Sequence, residues 1–118
     1  MESLQDCIFC QIVQGHIPAD LVYEDEFVLA FKDIRPVAPV HILLITKKHI
    51  PSLAGIDNDE DARLIGHLHR AAVISAAKAG VGGRGFRLVA NCGKDAGQLV
   101  DHVHYHLLGG RSLQWPPG

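Results

Sequence analysis

The chain has 118 residues, 47% of them apolar and 20% charged, a balance typical of a folded domain and not of a disordered one. Eleven basic and thirteen acidic residues give a net charge of −2, which excludes a broad basic surface for nucleic acid. A small ligand is therefore the expected partner. The length predicts one domain over residues 1–118, with residues 111–118 as a C-terminal tail.

The chain offers no signal for a membrane or an export pathway. Its longest apolar stretches, such as Val37–Ile45, are interrupted and fall far short of the roughly 20 residues that span a bilayer. The polar, acidic N-terminus does not resemble a signal or transit peptide. Three cysteines, an odd number, argue against a disulfide framework. We therefore expect a reducing compartment, the cytoplasm or, in a eukaryote, also the nucleus.

In chain order, the pattern of apolar and turn-forming residues predicts a short helix, three strands, a long helix and two further strands. The short helix covers Cys7–Gln14, and the long helix begins at the acidic cluster Asp57–Asp61 and ends before Gly80. The predicted strands are Leu21–Tyr23, Phe27–Phe31, His41–Thr46, Phe86–Asn91 and Val100–Leu108. This order predicts an α+β fold with about five strands in a mainly antiparallel sheet.

Three histidines alternate in the last predicted strand. His102, His104 and His106 then share one face at spacings of about 6.5–7 Å, and the residues between them face the core. A single histidine there would most often be an ordinary solvated position. Three have no packing reason, because each imidazole brings a donor and an acceptor that must be satisfied. Such a face can ligate a metal, or act as nucleophile and proton shuttle near neutral pH.

The run from His102 to Leu108 resembles the His-x-His-x-His-x-x motif of the histidine triad (HIT) family of nucleotide hydrolases and transferases. Similarity extends over nearly the whole chain, through Ile17-Pro18-Ala19, Phe31-Lys32-Asp33-Ile34, Lys47-Lys48-His49-Ile50, Gly109-Gly110-Arg111 and Trp115-Pro116-Pro117-Gly118. The last two segments resemble the Hint branch, the purine nucleoside phosphoramidases. The resemblance implies a HIT-like fold and a homodimer in which the Trp115 tail lies near the partner's active site.

The resemblance also implies a mechanism. The middle histidine, His104, would attack the α-phosphorus of a purine nucleoside 5′-phosphoramidate, of the adenosine type, and form a covalent nucleotidyl intermediate that water resolves. A neutral imidazole suits this role, because it is a good nucleophile and divides one difficult step into two easier ones. His106 would contact the phosphate, and His41 matches a further active-site histidine. Taken alone, His41 could equally be an exposed histidine at a strand end.

Nucleotide binding is implied for residues from several segments. Asp33 matches the acid that binds the ribose hydroxyls, and Asn91, Gly97 and Gln98 belong to a glycine-containing loop suited to phosphate. Without the resemblance this loop would be a plain connection between strands. An apolar slot for the purine is assigned to Ile8, Phe9, Ile17, Phe31 and Ile34. For Phe31 and Ile8 the sequence does not separate a place in the slot from a place in the core.

Leu99 departs from the family pattern. The Hint branch usually has a small hydroxyl residue at this position, thought to contact the phosphate or the leaving group, and leucine can donate no hydrogen bond. We therefore expect a weaker interaction with the leaving group. Two alternatives stay open: a related enzyme acting on aminoacyl-adenylates or dinucleoside polyphosphates, and a nucleotide-sensing interaction protein with little catalysis.

The pair Cys7 and Cys10 is ambiguous between a zinc site, a redox pair and coincidence. The thioredoxin-like βαβ context of a redox pair is absent, and structural zinc requires four nitrogen or sulfur ligands. Zinc-containing members of the family imply that Cys7, Cys10, His49 and His102 are these ligands. The alternative is two free thiols beside an unrelated histidine.

Overall fold

The computed structural model describes residues 6–118, and these residues form an antiparallel five-stranded sheet with one long and one short helix. The elements are α1 (Ile8–Val13), β1 (Leu21–Glu24), β2 (Val28–Lys32), β3 (Val40–Thr46), a 3₁₀ turn (Leu53–Gly55), α2 (Asp59–Lys78), β4 (Phe86–Ala90) and β5 (His104–Gly109). The predicted α+β fold class is confirmed.

The strand order in the sheet is β1-β2-β3-β5-β4, with every neighbouring pair antiparallel. The last strand therefore lies between β3 and β4, in the interior of the sheet. Its register opposite β3 pairs His106 with Leu43 and His104 with Ile45. Because directly opposite residues point to the same face, the histidines of β5 share a face with alternate residues of β3, including His41.

Each face of the sheet carries its own apolar cluster. On one face, α2 packs Leu68 and Ala72 over residues of the sheet that include Leu44 and Leu107. On the other face, the smaller cluster joins Cys7, Phe9 and Cys10 around α1 to Leu29, Phe31, Leu43 and Ile45. Strand β3 is therefore buried on both faces, as the sequence predicts. The histidine-bearing face is the one that α1 covers.

The start of α2 is capped as the acidic cluster predicts. The Asn58 side-chain oxygen accepts a hydrogen bond of 2.8 Å from the Asp61 backbone N–H. Three acids occupy the first turn, where they meet the positive end of the helix dipole. The Lys48 ammonium lies 2.7 Å from an Asp61 carboxylate oxygen. The helix start is thereby tied to the segment that follows β3.

The prediction that the last strand begins at Val100 is wrong. The backbone N–H of Val103 donates to the carbonyl of Ile50 and that of His102 to the carbonyl of Val100, so neither group joins the sheet there. Strand β5 begins only at His104. His102 therefore lies in the segment leading into the strand, and only His104 and His106 alternate along it. Strand β4 likewise ends at Ala90, one residue before the predicted end.

Met1–Gln5, which belong to the polar N-terminus discussed above, lie outside the described residues. Between residues 6 and 118, no helix has the length and apolar character needed to cross a membrane.

Replacing Ser75 with alanine is expected to stabilise the fold. The Ser75 hydroxyl is fully buried in α2 and has no hydrogen-bond partner among the described residues. An unsatisfied buried polar group costs about 1–3 kcal/mol, and alanine is also the better helix former. We expect the free energy of unfolding in a urea titration to rise by about 1 kcal/mol. The exposed Ser112, changed to alanine, is the matched control and should stay within about 0.5 kcal/mol of the parent. A lower value for Ser75→Ala would contradict this account.

Candidate active site

The ring of His104 is held by its own chain. Its Nδ1 lies 2.7 Å from the backbone carbonyl oxygen of His102. A carbonyl can only accept, so Nδ1 carries the hydrogen, and in the neutral ring Nε2 keeps a free lone pair. The ring of Phe9 meets the His104 ring edge-on, with 5.0 Å between centroids. The structure thus presents His104 in the tautomer that a nucleophilic Nε2 requires.

His41 and His106 form a second, coupled pair. The backbone N–H of Val37 donates to His41 Nδ1 at 3.1 Å, so Nε2 of the neutral His41 ring carries the hydrogen. His41 Nε2 lies 2.9 Å from His106 Nδ1, and it is therefore the donor. His106 Nδ1 is then the acceptor, and the His106 proton is on Nε2. The N–H of Val37 therefore determines, through His41, that His106 presents its Nε2–H as a hydrogen-bond donor.

Asp33, His41 and His106 could also be considered as metal ligands, because each brings a ligand atom into one small region. The hydrogen bond from Val37 argues against this use. His41 Nε2, which lies 3.5 Å from Asp33 Oδ2, carries a proton in the neutral ring and has no lone pair for a metal. The group is better suited to donating a proton than to holding an ion.

Burial lowers the pKa of His106 below the ordinary value of 6.5. Positive charge on His104 or His41 would lower it further, while the Asp33 carboxylate acts in the opposite direction. His106 is therefore neutral at pH 7, which agrees with the tautomer that its hydrogen bond to His41 requires.

An apolar cleft of about 670 Å³ lies beside these rings. All five residues predicted for the purine slot line it, namely Ile8, Phe9, Ile17, Phe31 and Ile34. Phe31 belongs to both the core and the cleft, while Ile8 and Ile34 are 47% and 92% exposed. The triad rings adjoin the cleft without lining it: Phe9 contacts His104, and Asp33, which also lines the cleft, lies next to His41.

Leu43 is a cleft residue that the sequence reasoning missed. It lies two residues after His41 on β3 and directly opposite His106 in the sheet. The strand alternation that places His41 at the site places Leu43 on the same face, so the signal was present in the sequence.

The loop between β4 and β5 is held by Gln98. Its side-chain oxygen accepts from the Gly93 N–H, and its Nε2 donates to the carbonyls of Pro51 and Val100. Both Nε2 hydrogens are thus used, and in this structure the amide shapes the loop and does not present a donor to a phosphate. The N–H of Gly97 likewise donates to the Lys94 carbonyl. Asn91, which directly follows β4, is half-buried, and the side chain of Leu99 is 93% exposed.

The structure brings the four predicted metal ligands together, and one of them, His102, bonds to the ring of His104 through its carbonyl. Cys10 Sγ lies 3.2 Å from His49 Nδ1 and 3.6 Å from His102 Nδ1, and Cys7 Sγ lies 3.3 Å from His102 Nδ1. The two Nδ1 atoms are 3.2 Å apart. A tetrahedral ion with bonds of about 2.0–2.1 Å to nitrogen and 2.3 Å to sulfur separates such ligands by roughly 3.3–3.6 Å. The spacing fits that geometry.

The chemistry of His102 fits a metal as well. Its Nε2 donates to the Thr46 carbonyl at 2.7 Å, which leaves the Nδ1 lone pair directed at the thiols and at His49. Burial lowers the pKa of His102 to about 4, so the ring is neutral at pH 7. The four side chains form a Cys₂His₂ group that could hold a metal ion.

The sheet carries His41, His104 and His106 beside an apolar cleft, and known proteins share this fold. A model of the HIT domain matches residues 14–113, and the chain belongs to the HIT family. Family membership, predicted from the motifs, is thereby confirmed.

Its relatives include proteins of several bacteria. An uncharacterised HIT-like protein of Synechocystis is 52% identical over 114 residues, which cover 97% of this chain and 98% of that protein. A HIT family hydrolase from Legionella pneumophila superposes with a TM-score of 0.90 at 49% identity, covering 95% of this chain and 99% of the other. A histidine triad protein from Clostridium difficile gives 0.89 at 48% identity, covering 97% of each chain.

The half-buried imidazole of His106 should make stability fall in mild acid. Its pKa is below 6.5 in the folded chain, so between that value and 6.5 the unfolded chain binds more protons. The free energy of unfolding therefore decreases as the pH falls through 6.5 toward the folded pKa. We expect a smaller decrease in His106→Asn, measured by denaturant titration at about pH 7.5 and about pH 5.5. His16→Asn, at an exposed ring, is the control. Equal pH dependence in His106→Asn and the parent would contradict the assignment.

Proposed function

We propose that this protein hydrolyses purine nucleoside 5′-phosphoramidates, of the adenosine 5′-phosphoramidate type, through a nucleotidyl-His104 intermediate. The observation that carries the proposal is the hydrogen bond from His104 Nδ1 to the His102 carbonyl, which leaves Nε2 with the free lone pair that a nucleophile needs. The relatives from Legionella pneumophila and Clostridium thermocellum are called HIT family hydrolases, which supports a hydrolytic reaction.

In the first step the His104 Nε2 lone pair forms a bond to phosphorus as the phosphorus–nitrogen bond of the substrate breaks, and the amine leaves with a proton taken from solvent. In the second step water attacks the same phosphorus and releases a proton to solvent, the bond to Nε2 breaks with its electron pair returning to that nitrogen, and a nucleoside monophosphate is released. The Nε2 proton of His106 would stabilise charge on the phosphoryl oxygens, a contribution of about 3–4 kcal/mol for one donor in comparable sites. His41 fixes that proton on Nε2 by donating to Nδ1.

The nucleoside would lie in the apolar cleft, with the ribose hydroxyls at Asp33. One carboxylate oxygen of Asp33 accepts from the Arg35 backbone N–H at 2.7 Å, which fixes the side chain beside His41. The purine would pack between Ile8, Ile17 and Ile34, whose exposure leaves apolar surface for a base to cover.

A second candidate, a nucleotide-sensing protein with little catalysis, is favoured by Leu99. This exposed side chain stands where the resembled branch carries a hydroxyl residue, and it can form no hydrogen bond to a leaving group. A different leaving group, such as the aminoacyl part of an aminoacyl-adenylate, would also be consistent with this position.

We further propose that the Cys₂His₂ group holds a structural zinc ion bound by Cys7, Cys10, His49 and His102. All four positions would be filled by protein, so the ion would stabilise the fold and take no part in the reaction. It would join α1 to the segment leading into β5, next to the carbonyl that orients His104. Two buried thiols outside any disulfide also agree with a reducing compartment such as the cytoplasm.

The assembly that we propose is a homodimer. Strand β4 is at one edge of the sheet, and the tail that follows β5 is bonded to it, because Arg87 donates to the Gln114 carbonyl. This tail carries Trp115, which is 82% exposed. An exposed aromatic side chain next to a sheet edge is suited to contact with a second copy.

Replacing His104 with alanine should abolish turnover and the covalent intermediate. We expect kcat/KM for adenosine 5′-phosphoramidate to fall by about 10³-fold or more, because the attacking atom is lost. Acid quenching followed by mass spectrometry of the intact chain should detect a nucleotidyl adduct in the parent and none in the variant. His16→Ala, at an exposed ring that pairs with Gln11, is the control and should retain both. A parent that binds AMP with no adduct and no turnover would favour the sensing function instead.

Metal analysis of the untagged protein should give about one zinc ion per chain, and less than about 0.3 would contradict the zinc proposal. Cys10→Ser should lower the zinc content and the melting temperature, because a structural metal contributes directly to folding. Cys92→Ser is the matched control, since Cys92 lies outside the Cys₂His₂ group, and its zinc content should stay unchanged.

A further inference from the structure

The segment between β2 and β3 is held from outside by the turn that follows β5. Arg111 donates from Nη2 to the carbonyl of Val37 at 3.1 Å and from Nη1 to the carbonyl of Ser112 at 3.0 Å. A planar guanidinium can make both bonds at once, because its donors form a rigid fork. Arg111 thus links its own turn to the segment that leads into His41.

Gly110 brings this turn close to the same segment. It has a φ of +88°, and a Cβ atom at this position would lie 2.9 Å from Pro39 Cβ. Both the backbone conformation and the space therefore require glycine. Gly110 and Arg111 form a brace, one by close packing on Pro39 and the other by a hydrogen bond to Val37.

Val37 connects this brace to the reacting histidines. Its carbonyl accepts from Arg111, and its N–H donates to His41 Nδ1, so the residue is held at both ends. The N–H of Val37 places the His41 proton on Nε2, and this proton points at His106 Nδ1. Arg111 is therefore linked to His106 by its hydrogen bond to the Val37 carbonyl, by the backbone of Val37 itself, and by the hydrogen bonds from Val37 to His41 and from His41 to His106.

We propose that Arg111 is a positioning residue for this site: by restraining the backbone of Val37, it holds the N–H of that residue on His41 Nδ1 and so sets the tautomer of His41 and, through it, the donor atom of His106. The catalytic part of this inference rests on the proposed phosphoramidase function. Arg111 itself acts through Val37 and His41, and its effect falls on the orientation of a proton donor. It is therefore expected to affect kcat more than KM.

The test combines nitrogen-15 NMR of the imidazole rings with steady-state kinetics in three variants of the full chain. Arg111→Ala removes both hydrogen bonds of the guanidinium group, the one to Val37 and the one to Ser112. Arg111→Lys keeps the charge and a donating nitrogen that can reach Val37, although an ammonium group cannot reproduce the planar fork. Arg84→Ala is the matched control, since this exposed arginine lines the same small surface pocket as Arg111. Among the described residues it forms no hydrogen bond to the segment before β3.

In the parent and in Arg84→Ala, we expect His41 to be protonated on Nε2 alone. In Arg111→Ala, His41 should become a mixture of tautomers and the Val37 amide should exchange faster with solvent. With adenosine 5′-phosphoramidate, kcat should fall roughly tenfold while KM changes less than about twofold, a fraction of what a general acid or donor contributes. Arg111→Lys should recover kcat to within about threefold of the parent, because one bond to Val37 can still form.

Unchanged tautomers of His41 and His106 in Arg111→Ala would overturn the proposal, whatever the activity. The NMR measurement needs no substrate, so it separates this inference from the proposed function. If the parent shows no turnover but its tautomers still depend on Arg111, the positioning role stands and the phosphoramidase function fails. A loss of melting temperature with unchanged tautomers would mean that Arg111 only stabilises the fold.

Discussion

The site depends on main-chain groups that determine which nitrogen of each histidine carries a proton. The carbonyl of His102 accepts a hydrogen bond from Nδ1 of His104, and the carbonyl of Thr46 accepts one from Nε2 of His102. The N–H of Val37 donates to Nδ1 of His41, which leaves that ring protonated on Nε2. The rings thereby differ in what they present: His104 an Nε2 lone pair, His102 an Nδ1 lone pair directed at the thiols, and His41 an N–H directed at His106. Because the groups that do this belong to the backbone, the roles follow from the path of the chain.

This dependence also explains which parts the sequence could predict. The period-two pattern and the turn residues were sufficient to predict five strands, and the helical spacing of apolar residues was sufficient to predict two helices. The alternation of His104 and His106 was sufficient to place both on one face. The roles of Val37 and Thr46 had no signal, because any residue supplies an N–H or a carbonyl. The start of β5 was missed for the same reason: Val103 bonds to the Ile50 carbonyl, a partner distant in the sequence.

The late start of β5 has a structural benefit. If His102 were part of the strand, its carbonyl would bond to a neighbouring strand. Because it lies outside the strand, the carbonyl instead accepts a hydrogen bond from the ring of His104, two residues later. Its side chain is free to turn toward Cys7, Cys10 and His49. One residue outside the ladder therefore links the Cys₂His₂ group to His104, because its side chain belongs to that group and its carbonyl bonds to the His104 ring.

The loop between β4 and β5 has a different consequence. Gln98 fastens it to Pro51 and to its own backbone, while the neighbouring side chain of Leu99 projects into solvent. The loop shape is thus maintained independently of what stands at position 99, and so is the hydrogen bonding around the histidines. A substitution at position 99 would therefore change what the loop presents to solvent without disturbing the loop itself or the histidines.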